Sequence, residues 1–214
     1  MADPQGPSEA TVQRHAEALA SLPADDGSSA VNAARGLITA APSDLQISNP
    51  EGRVLWSLAE YGFLEPAEAP GSVHPALWRL ARLNMNAGLF EVAEGVYQVR
   101  GYDISNMTLI EGDTGVIVVD PLVSPECAAA ALALYREARG ERKVTAVLHT
   151  HSHVDHFGGI GGVLSEGEEV PIWAPQGFTD AAVSENVIAG SVNPCGAQIG
   201  TSSPSLSTPP MPPK

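Results

Sequence analysis

The densest chemistry in this sequence lies in Thr150-His151-Ser152-His153-Val154-Asp155-His156-Phe157-Gly158-Gly159, where three imidazoles and a carboxylate fall within six consecutive positions. Imidazole nitrogen and carboxylate oxygen suit zinc, iron or manganese, and no cysteine joins the cluster to make a closed structural zinc site. His151 and His153 are two apart, so in extended backbone both rings point to the same side and can hold one metal. Asp155 and His156 follow further round the chain, where they can face a second metal, and Asp155 is also the candidate catalytic residue. His149 reads as a strand-end residue paired with backbone or water. His15 and His74 stand alone and read as structural.

These side chains need a strand to deliver them. The run Val144-Thr145-Ala146-Val147-Leu148 is short, apolar and β-branched, as a buried parallel strand should be, and it ends at the histidines. Sites in open α/β layers lie at such carboxyl ends. Gly158 and Gly159 are expected to let the chain bend sharply into a helix over 158–164, and 171–174 reads as the next strand. Upstream, 96–100, 105–111 and 116–120 read as three strands of a meander, with Gly112-Asp113-Thr114-Gly115 as a hairpin turn. Ser124-Pro125 opens a helix that runs to Ala138 and stops at Gly140, which completes a β-α-β unit.

The segment from Thr150 to Gly159 resembles the T-H-x-H-x-D-H-x-G-G signature of the metallo-β-lactamase superfamily, hydrolases with an αββα sandwich and usually two metal ions. Leu77-Trp78-Arg79, Leu89-Phe90-Glu91-Val92, the run from Gly95 to Asn106, Ile110-Glu111-Gly112 and Ser184-Glu185-Asn186-Val187 narrow the likeness to the alkyl sulfatases that hydrolyse dodecyl sulfate. The resemblance implies an α/β (α+β) fold of this sandwich type, zinc as the cofactor with two ions in the complete enzyme, and His151, His153, Asp155 and His156 as ligands. It also implies that Asp120, at the end of the strand Val116-Ile117-Val118-Val119, lies beside the metals, where a buried carboxylate would fix which nitrogen of a ligand imidazole faces the ion. A plain strand-end cap is the competing reading of Asp120. The substrate implied is a small alkyl sulfate ester, and the family is compatible with a homodimeric complete enzyme.

Composition narrows the partners. A formal net charge of −14 with only 11 basic residues argues against nucleic acid, which is bound through clustered Lys and Arg. The same field opposes anionic substrates, so a sulfate ester must be captured by local metal charge and nearby arginines. Cys127 and Cys195 read as unpaired thiols. The N-terminus has neither a basic segment nor an apolar run, and nowhere do about 18 apolar residues run together, so no transmembrane segment and a cytoplasmic location are expected.

Four segments follow from these patterns. Residues 1–30 read as a mobile N-terminal arm with one helix over 9–22, and 31–90 as a wrapping segment containing a helix over 72–87. Residues 91–190 read as the N-terminal half of the metallo-β-lactamase-like domain, and 191–214, rich in Pro, Ser and Thr, as a disordered tail. All six histidines lie at or before His156, and the further ligands implied for the second half of the sandwich have no matching positions. The chain as given is therefore expected to be a truncated, inactive part of a zinc-dependent alkyl sulfatase. A thioester or lactone hydrolase of the same fold, and a non-catalytic metal-binding remnant, are the alternatives.

Overall fold

The structure, a computed structural model, describes residues 6–188. The expected tail over 191–214 and Cys195 lie outside the described residues.

In chain order, helices α1 (Glu9–Ser21) and α2 (Ser28–Ala34) lead into strands β1 (Leu37–Ala40), β2 (Gln46–Ser48) and β3 (Val54–Ser57). A 3-10 stretch (Ala59–Leu64) and helix α3 (Pro75–Asn84) precede β4 (Gly88–Ala93), β5 (Val96–Arg100), β6 (Met107–Glu111) and β7 (Val116–Val119). Helix α4 (Pro125–Arg139), β8 (Val144–Leu148), β9 (Ile172–Trp173) and helix α5 (Phe178–Val183) follow. Seven strands form one sheet in the order β1-β4-β5-β6-β7-β8-β9, and β2 and β3 pair separately. Neighbours from β1 to β7 are antiparallel, whereas β7, β8 and β9 run parallel. This is the expected meander feeding a β-α-β unit.

Alternation along the strands builds the core. Tyr97 and Val99, Met107 and Leu109, and Val116 and Val118 are fully buried, while the intervening Gln98, Thr108, Ile110, Ile117 and Val119 are half-buried. Helix α4 turns Ala128, Ala131, Leu132 and Tyr135 into the same core, where the rings of Tyr97 and Tyr135 lie 5.7 Å apart. Fully burying a large apolar side chain contributes about 1.5–3 kcal/mol, so this face supplies most of the cohesion. The α/β class holds, with one large sheet layer, backed by α4, among the described residues.

Local signals set the helix ends. The Ser124 hydroxyl accepts from the Cys127 amide at 3.2 Å, Pro125 takes the first turn, and Gly140 closes α4 at a φ of 85°. At α3 the His74 ring nitrogen Nδ1 accepts from the Ala76 amide at 3.2 Å, ahead of Pro75. The helix expected over 158–164 does not form; a short 3-10 turn, Ile160–Gly162, stands there instead, after another at Val154–His156. Four glycines in Gly158-Gly159-Ile160-Gly161-Gly162 make a poor helix, since each costs about 1 kcal/mol against alanine.

Helix α1, capped by Ser8, buries none of its residues, but the His15 ring contacts the Gly71 carbonyl at 2.9 Å. Arg79 of α3 pairs with Asp25 at 2.8 Å, which ties the N-terminal segment to the wrapping one. The Trp56 indole donates to the Gly101 carbonyl at 2.8 Å, joining β3 to the turn between β5 and β6. No helix among the described residues is long and apolar enough to cross a membrane.

Candidate metal centre

The parallel strands β7 and β8 end side by side, and each carries part of the site beyond its last residue. Asp120 follows β7 and donates its amide to the Leu148 carbonyl at 2.9 Å, so register sets it beside the histidine run that follows β8. Asp120 (φ 54°) and Leu122 (φ 65°) both occupy the left-handed region, unusual for residues with side chains. Such strain persists only where surroundings impose it, and it concentrates at functional sites.

From Asp120 outward the contacts run in a chain. Its Oδ1 accepts from the Thr150 amide at 2.8 Å, and its Oδ2 from the Thr150 hydroxyl at 2.6 Å and from His156 Nδ1 at 2.9 Å. The hydroxyl, having given its proton to Asp120, accepts from His151 Nδ1 at 2.9 Å. In the neutral form of each ring, these contacts put the proton on Nδ1 and leave the lone pair on Nε2. The rings of His151 and His156 sit 4.1 Å apart, and those of His151 and His153 4.6 Å. One ligand atom each from Asp120, His151 and His156 lie within 4.8 Å of one another.

These residues fit a cation. His156 Nε2 faces the Asp155 carboxylate Oδ2 at 3.2 Å. With the ring neutral, two acceptors face each other across that gap and suit a metal ion; with the ring protonated, the same contact is an ion pair. The grouping differs from the two-and-two division read from spacing: His156 joins His151, Asp120 enters the cluster, and the exposed His153 turns its Nε2 to Glu185 Oε1 at 3.1 Å.

The turn before β6 holds the metal loop through Ser105 and the neighbouring β7–α4 connection through Asp103. Ser105 donates its hydroxyl to the Asp155 carbonyl, and the buried Asp103 accepts from the Val123 amide at 2.8 Å and the Ile104 amide at 2.6 Å. Burial pushes the Asp103 carboxyl above the usual carboxylate range, against the pull of the two amides. His149 is buried, contacts the His156 carbonyl through Nδ1 at 3.1 Å, and stacks on Phe178 at 5.5 Å; burial pushes its ring below the usual histidine range. The expected pairing of His149 with backbone is what the structure shows.

The glycines act through closeness. Gly158 and Gly159 do not adopt positive φ, but a Cβ on Gly159 would lie 2.1 Å from the Pro121 carbonyl oxygen, and one on Gly162 1.9 Å from that of Pro125. Glycine lets the metal loop press against the connection between β7 and α4. Sequence reasoning missed Asp103, Ser105, Thr150 and Glu185 as site residues. Asp103 sits in what reads as an ordinary turn and Ser105 at the start of an expected strand, and the available signal for both was only the run from Gly95 to Asn106 that resembles the alkyl sulfatases.

Comparison with known proteins finds relatives over most of the chain. The model of the metallo-beta-lactamase superfamily matches residues 100–179. An (R)-specific secondary-alkylsulfatase of Pseudomonas sp is 47% identical over 184 residues, 84% of this chain and 28% of that protein. The alkyl/aryl-sulfatase BDS1 of Saccharomyces cerevisiae is 45% identical over 184 residues, with the same two shares, 84% and 28%. The solved structure of the stereoselective inverting sec-alkylsulfatase Pisa1 from Pseudomonas sp. superposes with a TM-score of 0.82 at 46% identity, covering 88% of this chain and 30% of that one. The chain thus spans less than a third of the length of these relatives. Motif, fold and relatives together place it in the metallo-beta-lactamase superfamily, as a homologue of the alkylsulfatases.

Proposed function

We propose that this chain supplies the metal-binding loop of a zinc-dependent hydrolase that splits linear primary alkyl sulfates, such as dodecyl sulfate, into alcohol and sulfate. The observation that carries the reading is the convergence of Asp120, His151 and His156 within 4.8 Å at the carboxyl ends of parallel strands. A nitrogen and oxygen donor set without thiolate suits a catalytic zinc. Zinc, when bound, supplies Lewis acidity for the sulfate oxygens and makes water a nucleophile near neutral pH.

The chain's own residues do the rest of the work described by this reading. His151 and His156 offer Nε2 because Thr150 and Asp120 hold their Nδ1 atoms. Asp155 Oδ2, 3.2 Å from His156 Nε2, orients the attacking water and takes its proton. Ser105 keeps the loop from drifting and Asp103 fixes the adjacent β7–α4 connection, which preserves alignment of donors with the reacting ester. With a net charge of −14, the protein gives an anionic ester no long-range attraction, so capture is local.

Because the chain spans 28% of the sulfatase it matches at 47% identity, turnover is proposed for the whole protein, and the 214-residue chain is proposed to bind metal without turnover. The homodimer and the cytoplasmic location stay proposals too, to be read from the mass of the whole protein and from cell fractionation. The deciding experiment joins this chain to the part of the linear primary-alkylsulfatase of Pseudomonas sp that it does not cover. Sulfate release from dodecyl sulfate should appear in the zinc-loaded chimera, vanish with Asp155→Ala and be absent from the chain alone. A folded, zinc-loaded chimera that releases no sulfate would overturn the reading.

A further inference from the structure

We propose that Glu185 is a positioning residue for His153, holding its Nε2 so that Nδ1 is the atom offered to metal; this rests on the metal-site reading above. Glu185 Oε1 lies 3.1 Å from His153 Nε2. A carboxylate only accepts, so Nε2 carries the proton and the lone pair of the neutral ring sits on Nδ1. His153 is thereby set opposite to His151 and His156, whose Nδ1 atoms are taken by Thr150 and Asp120. Three neighbouring imidazoles present two kinds of nitrogen, each fixed by its own partner.

The segment that brings Glu185 is itself seated on the metal loop. Phe178, at the start of α5, stacks on His149 at 5.5 Å and meets Phe157 edge-on at 5.3 Å. Helix α5 then runs into the turn Ser184–Ile188, where the Asn186 side chain donates to the Ala182 carbonyl at 2.8 Å. One end of this unit packs on the aromatic residues flanking the loop, and the other reaches His153. The His153 side chain is 58% exposed, so packing does little to choose its tautomer and the carboxylate contact decides it. Exposure of both partners also means that the pair adds little to folding stability, so its effect falls on ligand geometry.

The test uses the full 214-residue chain with zinc alone as the probe. In the metal-free protein at pH 8, nitrogen NMR of the His153 ring should show the Nε2–H tautomer in wild type and in Glu185→Gln, whose amide oxygen still accepts, and a mixture in Glu185→Ala. Zinc affinity by chelator competition should fall about 10–100-fold in E185A and be largely retained in E185Q, with the melting midpoint unchanged in both. A tautomer insensitive to E185A would overturn the proposal. Equal losses in E185Q and E185A would make Glu185 a direct ligand and would overturn it as well. His153→Ala with undiminished zinc affinity would instead sink the metal-site reading, while the tautomer measurement would still decide the role of Glu185.

Discussion

The Oδ2 atom of Asp120 stands 2.9 Å from Nδ1 of His156, and this contact joins the ends of two parallel strands across the site. Asn at position 120 tolerates the same left-handed backbone but turns a donor toward the His156 N–H and the Thr150 hydroxyl. Asp120→Asn should therefore weaken zinc binding about 10–100-fold and cost about 1–3 kcal/mol of folding stability. Chelator competition and urea unfolding measure the two losses, and wild-type values in both would mean that Asp120 is a plain strand-end cap.

The glycine after the metal loop gives a second test. Gly159→Ala sets a Cβ against the Pro121 and Ser124 carbonyl oxygens, at 2.1 and 2.6 Å, and the Gly159 amide also donates to Leu122 at 2.9 Å. Neither carbonyl belongs to a flexible side chain that could step aside. The variant should lose about 1–3 kcal/mol of stability through overpacking, and its zinc affinity should fall with it, because the loop must lift off the β7–α4 connection. A variant as stable as wild type in urea would refute the close approach.

Away from the site, Glu111 is a junction of three groups. It accepts from the Tyr135 hydroxyl at 2.9 Å, pairs with Arg139 at 3.2 Å and lies 3.4 Å from Arg142. Desolvation acts to raise its carboxyl, but the Arg139 and Tyr135 hydrogen bonds outweigh it and hold the group below the usual range. Glu111→Ala leaves the buried Tyr135 hydroxyl without this acceptor, so about 1–3 kcal/mol of stability should be lost. Tyr135→Phe with Glu111→Ala should recover part of that loss in urea unfolding, since both partners are then gone.

Burial pushes the Cys127 thiol up to about 11 from an ordinary 9.0. The unfolded chain therefore releases this proton first as pH rises, and the stability tied to the neutral thiol declines between about pH 9 and 11. In a Cys195→Ser background, a thiol reagent at pH 8 should label Cys127 only after urea unfolds the chain. The alkaline fall in the urea midpoint should be shallower when Cys127 is also replaced by Ala. Rapid labelling of the folded protein would contradict the burial.

What the sequence determined by itself is what local chemistry decides. Apolar and β-branched runs bounded by turn residues marked β5 to β8 to within about two residues, and Ser124, Pro125 and Gly140 bounded α4, because strand patterning and capping act over a few neighbours. The histidine run and the strand before it likewise announced a metal site. The tertiary structure decided which atoms meet. Asp120 reaches His156 through the parallel register of β7 on β8, Asp103 reaches Val123 from another turn, and Glu185 reaches His153 from beyond α5. The glycine run that reads as a bend proved to be a contact surface, and the helix expected over it gave way to one short turn. Each of these depends on backbones far apart in sequence approaching within hydrogen-bond or van der Waals distance, which no local pattern encodes.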